Sequence, residues 1–327
     1  MAITISGSGI TSANIADGTI TTDDILASDV KNLKSGRKNL IINGGMQVSQ
    51  RGDYTTATAT TNGQYTLDRW QSLVPSSTAT VQDTSSKIKY AATATATARF
   101  GGLQYVEDYS VLAGKVVTLS AKMTSNHSGA RLQIYDGVST IDVASHTGGG
   151  SEELITGTVT IAAGATQLRC YVLIASSAGN NVSITSGDYI EFTELQLELG
   201  SVATDFEHRS YGEELALCQR YYHRLTPGSS MPISTGGTVN STTIALMPAY
   251  PHPVDMRVVP TITKPSAGNF QIRHRNVATV CTVVVATASD NRVAFFTVTV
   301  ASGLTVGDGC YLRSGGAGTY VGFDAEL

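Results

Sequence analysis

Residues 191–224, EFTELQLELGSVATDFEHRSYGEELALCQRYYHR, change hydrophobic period within a few positions, and that change divides the chain. Ile190 and Phe192, then Leu195, Leu197 and Leu199, alternate as in a strand. The parity slips between Phe192 and Leu195, which predicts a bulge near Thr193 and Glu194 or a change of buried face. Gly200 ends the strand. Ser210 followed by Glu213 has the spacing of a capping box, in which each side chain satisfies an orphan amide at a helix start. Leu215, Cys218 and Tyr222, flanked by Leu217 and Tyr221, then recur at helical spacing. A helix shorter than about 12–15 residues is marginal alone in water. It must therefore pack on the preceding sheet or on copies of itself, and Leu215, Cys218 and Tyr222 are its candidate oligomerisation residues.

On both sides of this joint the pattern is β. Runs at 116–123, 131–135, 154–161, 168–174 and 189–199 precede it, separated by Gly-containing turn signals. Residues 39–45, NLIINGG, read as a short buried strand closed by a Gly-Gly turn, and YTLDRW at 65–70 alternates apolar with polar. The Thr/Ala tract 55–61 reads as a loop, and 91–98 as an edge strand or loop. After the joint, 243–247, 258–263, 270–275, 277–287, 293–300, 309–313 and 319–323 are candidate strands. Pro248, Pro251 and Pro253 exclude a central strand between them. Only 15% of the 327 residues are charged, which favours short strands and turns over helices. The expected fold is all-β: a central jelly-roll sandwich over 39–209, a joint helix over 210–224 and a C-terminal β-sandwich tip over 225–327.

The first 38 residues follow a different rule. Ile5, Ile10, Ile15, Ile20, Ile25 and Val30 stand five apart, a spacing that matches neither the helical 3.6 nor the strand 2. A lone chain gains little from ordering such a segment. Either it is a flexible tail, or several copies wind together so that the aliphatic stripes meet on a common axis. The second reading makes these six residues oligomerisation contacts in an intertwined assembly.

Net charge is −4 with no long basic run, so nucleic acid is not an expected partner. No apolar run approaches the ~18 residues of a membrane span. Residues 1–9 have neither a basic start nor an apolar core, so the chain is expected to be made in a cytoplasm. Cys170, Cys218, Cys281 and Cys310 lie far apart without metal-finger spacing, and are read as free buried thiols. No phosphate cradle, HExxH or nucleophile elbow is present, no cofactor is expected, and no EF-type acidic loop suggests calcium. Glu152 with Glu153 reads as solvated charge, and Glu213 with Glu214 as a helix first turn. Trp70 reads as a core residue beside Asp68 and Arg69 rather than as a sugar platform. The best candidates for partner contact are Arg273, His274 and Arg275, clustered in one segment, and Tyr250 with His252 in a Pro-rich loop, because Arg and aromatic groups anchor interfaces.

Four segments together resemble the tail-fibre and related virion proteins of tailed bacteriophages. They are NLIINGGMQVSQRG with YTLDRW behind it, LQLELGSVATDFEHRSYGEELALCQRYYHR, PVDMRVVPTITKP and the terminal VGFDAEL. The first resembles the opening of that family's carbohydrate-binding-module-like jelly roll, and the N-terminal pentads resemble its GTIT-type repeats. The resemblance implies a virion structural protein, homotrimeric, attached to other virion proteins through its N-terminal segment and binding a host-surface glycan without catalysing a reaction. The alternatives are a head fibre or capsid decoration protein and, in the enzyme class, a polysaccharide depolymerase.

Overall fold

The computed structural model describes residues 37–327 except Ser77, Thr235 and Ser289. The pentad positions Ile5 to Val30 lie outside the described residues. Asn39–Leu327 forms one compact unit, and it is nearly all β.

Two antiparallel sheets make the first sandwich. One has six strands in the order Thr58–Thr60, Ala79–Asp83, Ile88–Ala92, Tyr189–Leu199, Val116–Ser125, Glu152–Thr160; the other has five, Gln71–Leu73, Phe100–Tyr105, Arg169–Ile174, Ala130–Tyr135, Thr140–Ser145. Alternate residues of both sheets meet in one core that includes Val81, Tyr90, Leu119, Ile134, Val172 and Phe192. Trp70 is fully buried there, edge-on to Phe192 at 5.0 Å, and its indole N–H donates to Asn43 O. The core reading of Trp70 therefore holds. The bulge also falls where the parity slip put it: the Tyr189–Leu199 register shifts between Thr193 and Gln196, with Glu194 at φ 51°.

Several local expectations change. Residues 39–45 form no strand. Two backbone bonds tie them to Tyr189–Leu199, Leu40 N to Leu197 O and Leu195 N to Gly44 O, and side chains hold the rest: Ile42 N donates to Gln104 Oε1, Asn43 N to Glu214 Oε1, and Arg209 Nη1 to Ile41 O. Gly44 lies so close to Leu195 O that a Cβ there would collide with it, which accounts for one glycine of the Gly-Gly pair. Thr58–Thr60 is a strand where a loop was expected. Phe100–Tyr105 is a strand although Gly101 and Gly102 interrupt its pattern; a Cβ on Gly102 would lie 2.8 Å from the Tyr90 ring.

The joint helix is Tyr211–Gln219, with the capping box between Ser210 and Glu213 formed. It ends before Tyr222, and the expected 210–224 span is too long. Tyr222–Leu225 is a strand paired with Val321–Asp324, so the expected boundary at 224/225 falls inside a strand. The i, i+4 match of Cys218 to Tyr222 was local coincidence; ladder pairing to the C-terminal segment fixes Tyr222. Glu213 and Glu214 stand in the helix first turn as expected, and Glu214 is buried there, paired with Arg209 and accepting from Asn43 N.

The C-terminal part contains a three-stranded sheet, Tyr222–Leu225, Val321–Asp324, Thr261–Thr263, and a seven-stranded one. The latter runs Ile244–Leu246, Gly237–Val239, Gly309–Ser314, Phe270–His274, Val277–Ala288, Val293–Val300, Tyr250–Pro251. Ile244–Leu246 also pairs with Val293–Val300, so the sandwich expected here takes the form of a sheet closed on itself. Pro251 sits in a two-residue strand at its edge, where a missing N–H is tolerated. Phe270, Ile272, Phe296, Val298 and Leu312 fill the barrel.

Candidate functional site

The four segments that carry the family resemblance converge in space. Arg51, from the first, pairs with Asp324 (2.8 Å) and Glu326 (3.1 Å) of the terminal segment, and its guanidinium lies over the Tyr222 ring. Arg69 pairs with Glu326, covers the Tyr221 ring and donates to Tyr105 O. Arg257, from PVDMRVV, donates through its side chain to Ala325 O and Glu326 O and through its backbone to Arg220 O. Arg220 and Tyr221 both bind the Glu107 carboxylate. These charges are committed to one another: the four segments build the lock between the jelly roll and the barrel. Contact with an outside partner has to be sought elsewhere on the surface.

The hairpin joining Phe270–His274 to Val277–Ala288 provides such a surface. Its two central residues, Arg275 and Asn276, have φ of 45° and 64°, the positive values a two-residue type I′ turn requires. On the neighbouring strand Tyr311 stands directly opposite Arg273. Strand alternation turns Ile272, His274, Cys310 and Leu312 inward, which leaves Arg273 and Tyr311 on the outer face. With Arg275, Asn276, Gly309 and Cys310 they line an open hollow of about 300 Å³. Arg273 donates to Asn276 Oδ1. Asp308 takes Arg275 Nε and lies 2.9 Å from His274 Nε2. The hydrogen bond from Arg275, then that of His274, holds its carboxyl below the usual carboxylate range. Among the described residues Arg273 meets no carboxylate. The lining of the hollow thus carries two guanidinium groups, and the carboxylate nearest to them, Asp308, is bonded to Arg275.

The five expected contact residues divide. Arg273 and Arg275 line the hollow, and His274 is buried behind it, orienting Asp308. Tyr250 and His252 lie apart, in an aromatic nest with His223 and Phe323. His223 Nε2 is 2.8 Å from Tyr250 Oη, while both ring nitrogens of buried His252 find no hydrogen-bond partner among the described residues. Burial lowers the pKa of His252, and that of His223 to about 4. Of the helix residues expected to mediate oligomerisation, Cys218 and Tyr222 are buried within their own chain and Leu215 is half-buried.

Sequence reasoning missed Asn276, Asp308 and Tyr311. A turn-forming Asn between two β runs was a usable signal for the first; nothing local marks Tyr311, which register alone brings to Arg273. It also missed a row on the outer face of the five-stranded sheet, where Arg169 stands between Tyr105 and Tyr135, 4.6 and 5.4 Å from their ring centroids.

No family model and no curated protein matches the chain. Among solved structures it is similar to the CBM22-1 xylan-binding domain from Paenibacillus barcinonensis, at 13% identity and TM-score 0.30 over 46% of this chain and 99% of that one. It is similar to a family 29 carbohydrate-binding module, at 10% identity and TM-score 0.29 over 47% of this chain and 99% of that one. It is also similar to the tripod from the baseplate of bacteriophage Tuc2009, at 11% identity and TM-score 0.28 over 86% of this chain and 90% of that one. Scores this low leave fold and partner to be argued from this chain's own residues.

Proposed function

We propose that this chain is a structural protein of a tailed-phage virion, a fibre whose barrel hollow binds a host-surface glycan without catalysing a reaction. The observation that carries the reading is the placement of the hollow. Strand Gly309–Ser314 runs from Cys310, beside the hollow, to Ser314, after which residues 315–320 lead back to the lock with the jelly roll. The guanidinium, amide and aromatic groups of Arg273, Asn276 and Tyr311 therefore stand at the end of this strand opposite to the one that connects to Val321–Asp324, the strand carrying Asp324 of the lock. In this reading residues 1–38 attach the fibre to other virion proteins, the jelly roll and the joint helix Tyr211–Gln219 follow, and the C-terminal barrel is the binding tip.

The fibre is a homotrimer. The pentad aliphatics support oligomerisation, because six side chains at a period that no lone helix or strand can bury would find partners on neighbouring copies. Linked sites suit a shallow hollow, since avidity can exceed single-site affinity by roughly 10²–10⁴.

The test uses the full chain as a competitor of phage adsorption to host cells. Wild type should block adsorption, and Arg273→Ala with Tyr311→Ala should not. Equal blocking by the double variant would remove the hollow from the reading. Release of reducing ends from host polysaccharide would replace binding by hydrolysis, and antibody-labelled micrographs showing the chain on the head would replace the tail fibre by a head fibre.

A further inference from the structure

We infer that the hollow selects an acidic saccharide, one bearing a carboxylate or phosphate, with Arg273 as the anion-binding group; the inference rests on the glycan-binding reading above. The charge arrangement is the warrant. Among the described residues no carboxylate lines the hollow, and Asp308, next to its lining residue Gly309, is held by Arg275 and His274. Arg273 carries a second guanidinium charge, and the side-chain group it bonds is the neutral Asn276 amide. A guanidinium spends one edge on such a bond and keeps further N–H donors in a fixed fork that matches two oxygens of an oxyanion. Tyr311, directly across the ladder from Arg273, offers an aromatic face beside that fork. A sugar ring against Tyr311 would place an acidic substituent at Arg273, while Gly309 keeps the floor open to close approach.

A neutral glycan would leave the fork to water and gain nothing from this charge. An acidic one gains a charge-assisted pair on a half-exposed site, about tenfold in affinity for each ~1.4 kcal/mol retained. The Arg275 to Asp308 pair has a separate role: it holds the hairpin tip against Gly309 and keeps Asp308 from repelling the anion.

Isothermal titration of the full chain with oligogalacturonate, poly(glycerol phosphate) and maltoheptaose, at low and high salt, tests this. One of the acidic probes should bind, more weakly at high salt, and its identity separates carboxylate from phosphate. Arg273→Gln should weaken that binding about tenfold or more, Arg273→Lys less, with thermal unfolding of each variant unchanged. If maltoheptaose binds as well as the acidic probes and Arg273→Gln changes nothing while Tyr311→Ala abolishes binding, the acidic class is wrong and the hollow stands as a neutral-glycan site. Acidic-probe binding that survives both Arg273→Gln and Tyr311→Ala overturns the inference and the site beneath it together. Failure of all three probes overturns the inference, and the adsorption test above then decides the glycan reading on its own.

Discussion

Arg69 and Glu326 form an ion pair in the interior, 257 residues apart in sequence, with the guanidinium stacked over Tyr221. Both side chains are almost fully buried, at 1% and 4% exposure. The pair joins the DRW of the opening motif to the chain's last residues, and Arg51 adds a second bond to the same carboxylate.

Glu326→Ala should therefore cost about 3–5 kcal/mol, because removing one partner of a buried pair leaves the other charge uncompensated. Replacing Arg69 and Glu326 together by Met should cost less than the single change. Denaturant unfolding measures both. A Glu326→Ala loss within about 1 kcal/mol, the range of a surface pair, would show that the lock is solvated.

Two buried groups give the lock opposing pH dependences. Burial lowers the His223 pKa from 6.5 to about 4, so in that interval the unfolded chain binds more protons and stability falls as pH drops from about 6.5 to about 4. Burial raises the Asp68 pKa from 3.8 to about 6, so the folded chain binds more protons there and stability falls as pH rises through that window. His223→Gln should flatten the acid loss, and Asp68→Asn should steepen it. Thermal melts across pH 4 to 7 that superimpose for all three proteins would refute both assignments.

The four thiols are free and buried. Thiol titration of the denatured, unreduced protein should find four per chain, and the native protein should react slowly. Burial pushes the Cys170 and Cys281 thiols up to about 12, which leaves little thiolate to react. Finding two thiols or none after denaturation would contradict the structure.

The outer wall of the barrel exposes Leu246, Val283, Val285 and Phe295. Leu246 and Val285 both stand opposite Thr297, so these residues share an uncharged face. Mass photometry of the full-length protein should give three chains, and Val285→Asp with Phe295→Asp should lower the assembled fraction without altering the unfolding transition. A single chain for the wild type would remove the trimer; an unchanged trimer in the double variant would leave this wall outside its contacts.

The joint was legible in the sequence because its signals are local. A capping box, a parity slip and a glycine stop each act within a few residues, and Ser210, Glu213 and the shift at Thr193 all stand where they were expected. Strands bounded by turn residues, such as Tyr189–Leu199 and Val293–Val300, were equally readable.

What the sequence determined by itself was the all-β class, the helix start at Ser210 and the bulge at Thr193, and the burial of Trp70 and the four cysteines. Period, propensity and apolar character decide these, and each is a property of a short window. Only the tertiary structure decided that NLIINGG is an irregular segment held by side chains and two backbone bonds rather than a strand, that Tyr222 leaves the helix for a strand, and that Arg51, Arg69, Arg257 and the terminal carboxylates make one lock. It also separated Arg273 and Arg275 from Tyr250 and His252, and set Tyr311 beside Arg273. Each of these depends on the register of strands far apart in the chain. Register is fixed by which faces find a common core, and no single window of residues contains that information.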